Sequence, residues 1–329
     1  MFSVVENMNT IKSQFIFSIS IQILIILLLS PLVNTLLKKL KAILQGRQGP
    51  PLMQSYYDLI KYFHKETVVS NQTTWLFFVT PFVVFSSTLL SGLLVPTFID
   101  ISPMSILGGI ILLVYLFGLG RFFMAQAAME PGGGFCGMAS SREMMLAMLI
   151  EPVMLLSLFV LALMAGSTNF QDIISWTSGK NYSLLTPDYV LAVIGILIAG
   201  IAEMGRVPFD NPETHYELTM IHEGMLLEYS GKLLGLMFFS GWIKQFIIIS
   251  LLANLLLPFG CSLLCSCIIG KFLIFIVKVF LVCIIVAFVE TVIAKVRLFR
   301  VKDVLVTSFV VSIIALVINI QRSTGGFGL

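Results

Sequence analysis

Residues 144–165 read MMLAMLIEPVMLLSLFVLALMA, a run with the length and apolarity of one membrane crossing and a single carboxylate, Glu151, inside it. A crossing takes about 20 apolar residues, and lipid offers the backbone no hydrogen-bond partner, so such a run has to fold as a helix. Outward from it, comparable runs lie at 15–37, 75–99, 106–128, 189–202, 231–257, 267–293 and 301–320, which predicts eight spans in one all-α, polytopic membrane domain over residues 1–329. The composition agrees. Hydrophobic residues make up 58% of the chain, charged residues 11%, and the mean hydropathy is +1.00. A soluble domain carries roughly 25% charge. The period-2 alternation of a membrane barrel is not seen, and the net charge of +3 gives no reason to expect a nucleic-acid partner.

The first run is too long for a signal-peptide core and continues into Lys38, Lys39 and Lys41, so it reads as a retained span. Thr186 and Pro187 form a helix start for the short fifth span, and Ser102 with Pro103 opens the third in the same way. Fourteen of the twenty Lys and Arg residues fall in the connections after the first, third, fifth and seventh spans, and four fall on the other side. By the positive-inside rule those connections, at about 38–74, 121–143, 203–232 and 294–302, face the cytoplasm, and both termini face outward. Three of them are long and rich in Gly, Pro and charge, as a docking surface would be. Cys136, Cys261, Cys265, Cys267 and Cys283 lack zinc or iron-sulfur spacing, so a redox centre is expected on another chain. The expected setting is the inner, cytoplasmic membrane.

The loop at 203–232 breaks the positive trend. It carries Glu203, Asp210, Glu213, Glu217, Glu223 and Glu228 with His215 and His222, against Arg206 and Lys232. Carboxylates crowded beside membrane spans can hold and pass protons; an exposed acidic loop is the plainer alternative. Asn211, Pro212 and Glu213 read as a helix start, from which His215 and His222 would stand about 10 Å apart along the axis, too far for one metal. Glu130, Pro131 and the glycines at 132–134 form a flexible turn without the Lys of a phosphate loop. Ser140 and Glu143 have capping-box spacing and would start the fourth span; Glu143 is equally a proton-pathway candidate, as is Glu130. Glu151 lies two turns inside that span beside Pro152, and a carboxylate at that depth is by default functional. Lys244, Lys278 and Glu290 fall under the same argument. The segment 53–66 places Tyr56, Leu59, Ile60 and Phe63 near helical spacing and reads as an amphipathic helix on the bilayer surface.

These residues carry a resemblance. Arg206, Pro208, Phe209, Asp210, Glu213, Glu217 and Leu218, followed by Glu228, Tyr229 and Ser230, resemble the loop between the fifth and sixth helices of the complex I subunit that joins the membrane arm to the peripheral arm. Gln45, Arg47, Gly49, Pro50, Gln54, Asp58, Lys61, Lys65 and Glu66 resemble its first loop, and the likeness runs over nearly the whole chain. Within that superfamily, the run from Asp210 to Glu223, with His215 and the pair His222 and Glu223, is similar to the form found in formate hydrogenlyase and other membrane-bound group-four nickel-iron hydrogenases. The resemblance implies a subunit with no catalytic centre or cofactor of its own. It would dock a soluble arm, whose large subunit holds the nickel-iron site and whose small subunit holds iron-sulfur clusters, and pass proton movement to antiporter-like membrane subunits. Arg47, Asp58, Arg206 and Asp210 are the expected docking residues. A respiratory complex I subunit lining a quinone chamber and a free-standing ion transporter are the alternatives.

Overall fold

The structure is a computed structural model that describes residues 2–97, 109–179, 186–210, 221–258, 268–294, 296 and 298–323, with side chains left out at 2–17, 268, 269, 298 and 299. Among these residues there is no strand, and the chain is an all-α, polytopic membrane protein. The long helices are α1 (Phe2–Leu44), α3 (Trp75–Leu94), α4 (Ile110–Met129), α5 (Gly134–Ala165), α8 (Gly231–Leu256), α9 (Ile268–Val292) and α10 (Leu298–Ser323). All seven include a stretch long and apolar enough to cross a membrane. Three shorter helices complete the order: α2 (Gln54–His64), α6 (Phe170–Gly179) and α7 (Pro187–Glu203). The fifth predicted span is α7, whose 17 residues rise about 26 Å, just under a 30 Å hydrocarbon core.

Local chemistry explains the boundaries. Pro187 occupies the first helical position of α7, as expected, although Thr186 makes no side-chain capping bond. The Thr74 side chain caps α3 by accepting from the Leu76 backbone N–H at 3.4 Å. Gly166, in the left-handed region at φ 72°, ends α5, a conformation that costs a glycine little.

Some boundaries differ from those the sequence suggested. The connection expected over 121–143 is mostly helix: α4 continues to Met129 and α5 begins at Gly134, so Arg121 and Glu143 lie within membrane helices. The capping box at Ser140 and Glu143 does not form. Ser140 Oγ instead donates to the Ala125 carbonyl at 3.1 Å, tying α5 to α4. The helix start at Asn211, the residues Ser102 and Pro103, and Cys261, Cys265 and Cys267 lie outside the described residues.

Helices α5, α7 and α10 pack on one another, α8 packs on α1, α3 and α9, and α7 joins the two groups through α8. Small residues allow the close approaches that helix packing in lipid depends on. A Cβ on Gly195 of α7 would meet Ser157 of α5 and come within 2.7 Å of Ser312 Oγ on α10, and the two serine hydroxyls are bonded at 2.7 Å. Larger apolar side chains such as Leu158, Ile196, Phe246 and Ile247 fill the remaining interior. The amphipathic α2 forms as expected. Ser55 and Leu59 face inward, while Tyr57, Ile60 and Phe63 stay exposed.

Candidate functional site

The interior is crossed by charge. Arg121, on α4, is 4% exposed and meets carboxylates from two other helices. Its NH2 bonds Glu203 Oε1 at 2.6 Å at the end of α7. NH1 lies 3.4 Å from Glu151 Oε1, and Nε lies 3.8 Å from Glu143 Oε1, both on α5. Glu143 and Glu151 are eight residues apart, about 12 Å along the helix, so one guanidinium fork spans between them. Lys244 of α8 approaches Glu203 Oε1 at 2.8 Å, and His222 Nδ1 stands 3.8 Å from Glu143. Three carboxylates thus surround two permanent cations and one imidazole. A charge buried alone would be prohibitively costly, which is why these groups cluster.

The network is not sealed. Arg121 Nε and NH1 have no hydrogen-bond partner, and a small cavity of about 30 Å³ beside them is lined by Ser87, Thr88, His222, Ser240 and Lys244 among others. One water needs roughly 10–15 Å³ and several polar partners, so this space can hold a hydrogen-bonded water. Glu151 opens in another direction. Its side chain is 36% exposed beside Gly118 of α4, on a lateral face with exposed Tyr115, Leu119 and Met148. It lies about 26 Å along α5 from Gly134, near the middle of the helix.

A second cluster begins three residues after Glu203. Arg206 NH1 meets Glu290 Oε1 of α9 at 3.3 Å, and its NH2 donates to Asn34 Oδ1 of α1 at 3.2 Å. Lys41 lies 3.7 Å from the other Glu290 oxygen. Asn34 and Thr35 both donate to Ser55 Oγ, at 3.1 and 2.6 Å, which fixes α2 to α1. Asp210 accepts from the backbone N–H groups of Ile221 and His222 at 3.2 and 3.1 Å and so positions His222.

The predicted residues therefore divide. Glu143, Glu151, Glu203, His222 and Lys244 come together around Arg121, the hub that sequence reading had assigned to a loop. Glu290 belongs to the second cluster. Glu130 lies elsewhere, accepting from the Thr74 backbone N–H at 2.6 Å and from its hydroxyl. Glu228 is exposed, with its carboxylate 4.0 Å from Cys136 Sγ. Nearby, Tyr229 stacks on Phe77 with ring centroids 4.0 Å apart and donates to the Phe77 carbonyl at 3.1 Å. Burial, with Glu130 adding to it, pushes that phenol above its ordinary value, so it stays a neutral donor. Glu223 opens a short 3-10 turn and Lys278 is half-buried on α9. Glu213, His215 and Glu217 lie outside the described residues.

The docking expectation needs correction at two positions. Arg206 and Asp210 are 6% and 5% exposed and hold the subunit together, so neither presents a contact surface. Arg47 is exposed, and Asp58 is half-buried, accepting from Gln54 Nε2 at 3.0 Å. Among the described residues no group of three His, Cys, Asp or Glu side chains could hold a metal ion.

These elements define a polytopic helical membrane protein organised around a buried ion network. The family model described as NADH dehydrogenase matches residues 17–320, and the chain belongs to that family, in its subunit 1-like branch. It is similar to Hydrogenase-4 component C of Escherichia coli (strain K12), at 36% identity over 286 residues, covering 86% of this chain and 89% of that protein. Formate hydrogenlyase subunit 4 of the same organism is 35% identical over 73% of this chain and 77% of its own length. A subunit of the NADH-quinone oxidoreductase of Magnetococcus marinus is 27% identical over 67% of this chain and 64% of its own length. Among solved structures, a chain of the membrane-bound sulfane sulfur reductase, an archaeal respiratory membrane complex, matches with a TM-score of 0.79 at 20% identity. That match covers 92% of this chain and 99% of the other, and at this identity it speaks to the fold.

Proposed function

We propose that the chain is the membrane-anchoring, proton-pathway subunit of a membrane-bound nickel-iron hydrogenase complex of the formate hydrogenlyase kind, set in the cytoplasmic membrane with its long polar connections inward. The higher identity to the hydrogenase-4 and formate hydrogenlyase relatives than to the NADH-quinone oxidoreductase relative favours this over a quinone-chamber role. In this reading the nickel-iron site and the iron-sulfur clusters belong to soluble partner subunits, and no electron passes through this chain. Exposed Arg47 and the partly exposed Asp58 lie on the side that receives the soluble arm.

The observation that carries the reading is the network from His222 through Glu143, Arg121 and Glu203 to Lys244, with Glu151 leading sideways out of it. Three carboxylates against two fixed cations leave one negative charge, which a single mobile proton balances. A carboxylate half-open at mid-helix depth is unfavourable against lipid. A neighbouring membrane subunit of the antiporter-like kind would cover the α4–α5 face and receive the proton's displacement there.

Glu151→Gln keeps the shape and removes the charge. In the assembled complex it is expected to lower proton-coupled activity at least tenfold, on the order of a lost general acid–base group, while hydrogenase turnover with an artificial soluble electron carrier stays intact. Both assays are run on one preparation. Unchanged coupled activity would make Glu151 a structural partner of Arg121 and remove the proposed exit.

A further inference from the structure

The end of the bundle away from Arg121 holds a second polar site that the ion network does not use. There α5 and α10 finish, α7 begins, and α6 lies beside them. Together they form an open cleft of about 270 Å³ lined by Leu163, Met164, Trp176, Asp188, Asn319 and Arg322, with Ser323 at its edge. It lies about 22 Å from the level of Glu203, judged by the fifteen residues of α7 that separate Asp188 from it.

Asp188 is fully buried, and its two oxygens are treated unequally. Oδ2 accepts from Asn319 Nδ2 at 3.2 Å. Oδ1 makes no hydrogen bond of good geometry, although the Thr186 hydroxyl and the Tyr189 backbone N–H adjoin the carboxylate; Arg322 NH1 stands 3.6 Å from it with its side chain 55% exposed. A buried carboxylate oxygen without a well-aligned donor is costly, so the cleft is built to have a donor brought to it.

The charges restrict what that donor belongs to. A simple cation reaching Asp188 would be repelled by the Arg322 guanidinium, and a simple anion on Arg322 would be repelled by Asp188. A molecule with an ammonium and a phosphate a few bonds apart satisfies both ends at once, since guanidinium matches phosphate through two parallel N–H bonds. The rest of the lining says where such a molecule comes from. Trp176 stands at the helix ends, where indole rings favour the membrane–water boundary, and Leu163 is 43% exposed beside Met164, leaving an apolar track along α5. We infer that this cleft binds the headgroup of a phosphatidylethanolamine-type lipid, its ammonium donating to Asp188 Oδ1, its phosphate on Arg322 and an acyl chain along Leu163. The guanidinium supplies the phosphate contact, and the added carboxylate selects a zwitterionic headgroup over an anionic one.

The test uses the full-length chain in mild detergent, titrated with short-chain phosphatidylethanolamine and followed by native mass spectrometry. Phosphatidylglycerol of the same chain length and free phosphoethanolamine are run alongside. Phosphatidylethanolamine should bind on the order of tenfold more tightly than phosphatidylglycerol, the difference expected from one charge-assisted hydrogen bond. Arg322→Gln should weaken the phosphatidylethanolamine complex by about the same factor, and Arg322→Lys, which keeps the charge beside Asp188, controls for any loss of fold. Asp188→Asn should abolish the preference between the two lipids. Equal binding of the two lipids to the unaltered chain, or an unchanged complex in Arg322→Gln, overturns the proposal. Competition by free phosphoethanolamine at the lipid's own concentration overturns the lipid source and makes the ligand a soluble zwitterion.

Discussion

The two buried ion clusters at the loop end of α7 are joined by three residues of chain yet are built on opposite terms. Around Arg121, carboxylates outnumber fixed cations, two guanidinium nitrogens lack hydrogen bonds, and Glu151 opens to a side face. Around Glu290 the cations outnumber the acid, Arg206 reaches Asn34, and neutral groups of α1 and α2 complete the bonding. The second arrangement clamps α1, α2, α9 and the chain after α7 into one unit. The first leaves an unbalanced charge and a route out. In the proposed reading, then, burial alone does not set a proton-handling residue apart from a clamp; the excess acid and the opening at Glu151 do.

The sharpest way to break this comparison is Arg121→Leu. Removing one partner from a buried ionic cluster costs about 3–5 kcal/mol, and here it strands carboxylates on two helices with Lys244 as their remaining fixed cation. The variant should fail to accumulate in the membrane, as judged by detergent-extracted yield. Normal yield would mean that the acids neutralise one another without the arginine.

Arg206→Leu should cost less. Glu290 keeps Lys41, and the orphaned groups are Asn34 Oδ1 and one carboxylate oxygen, a penalty of about 1–3 kcal/mol. Thermal stability of the extracted protein should fall, while the ratio of proton-coupled to artificial-carrier activity in whatever assembles stays unchanged. A changed ratio would erase the distinction between clamp and pathway.

How far the site could be read beforehand depends on what each residue shows locally. Glu151 was legible because a carboxylate inside an apolar run has few structural explanations. Arg121 is not, since its charge suggests the start of a connection at 121 even though the apolar run continues to 128, and α4 carries it as helix to Met129. For Glu143 the spacing to Ser140 allows a cap as well as a proton-handling role, and tertiary pairing with Arg121 overrides the cap. Arg206 and Asp210 looked like surface contacts because their loop is polar, but a polar loop can fold inward when its charges find buried partners. Seven of the eight expected spans form helices long and apolar enough to cross a membrane, the fifth forms as the shorter α7, and α6 leaves no mark because its ten residues are mixed.

The smallest change that still tests the comparison is Gly118→Ala. A Cβ at Gly118 would lie 3.1 Å from Glu151 Oε1, close enough to displace the carboxylate but not to remove its charge. On stability two effects oppose each other: alanine gains about 1 kcal/mol of helix propensity over glycine, and the added methyl crowds its neighbour by about 1 kcal/mol. The thermal midpoint should therefore hardly move. Proton-coupled activity should fall severalfold if the direction in which Glu151 opens is what matters, since the carboxylate must turn either toward Arg121 or toward the outer face. The artificial-carrier assay again serves as the internal reference. Full coupled activity in Gly118→Ala, alongside a loss in Glu151→Gln, would show that the charge of Glu151 matters while its placement against α4 does not, and the lateral opening would lose its part in the pathway.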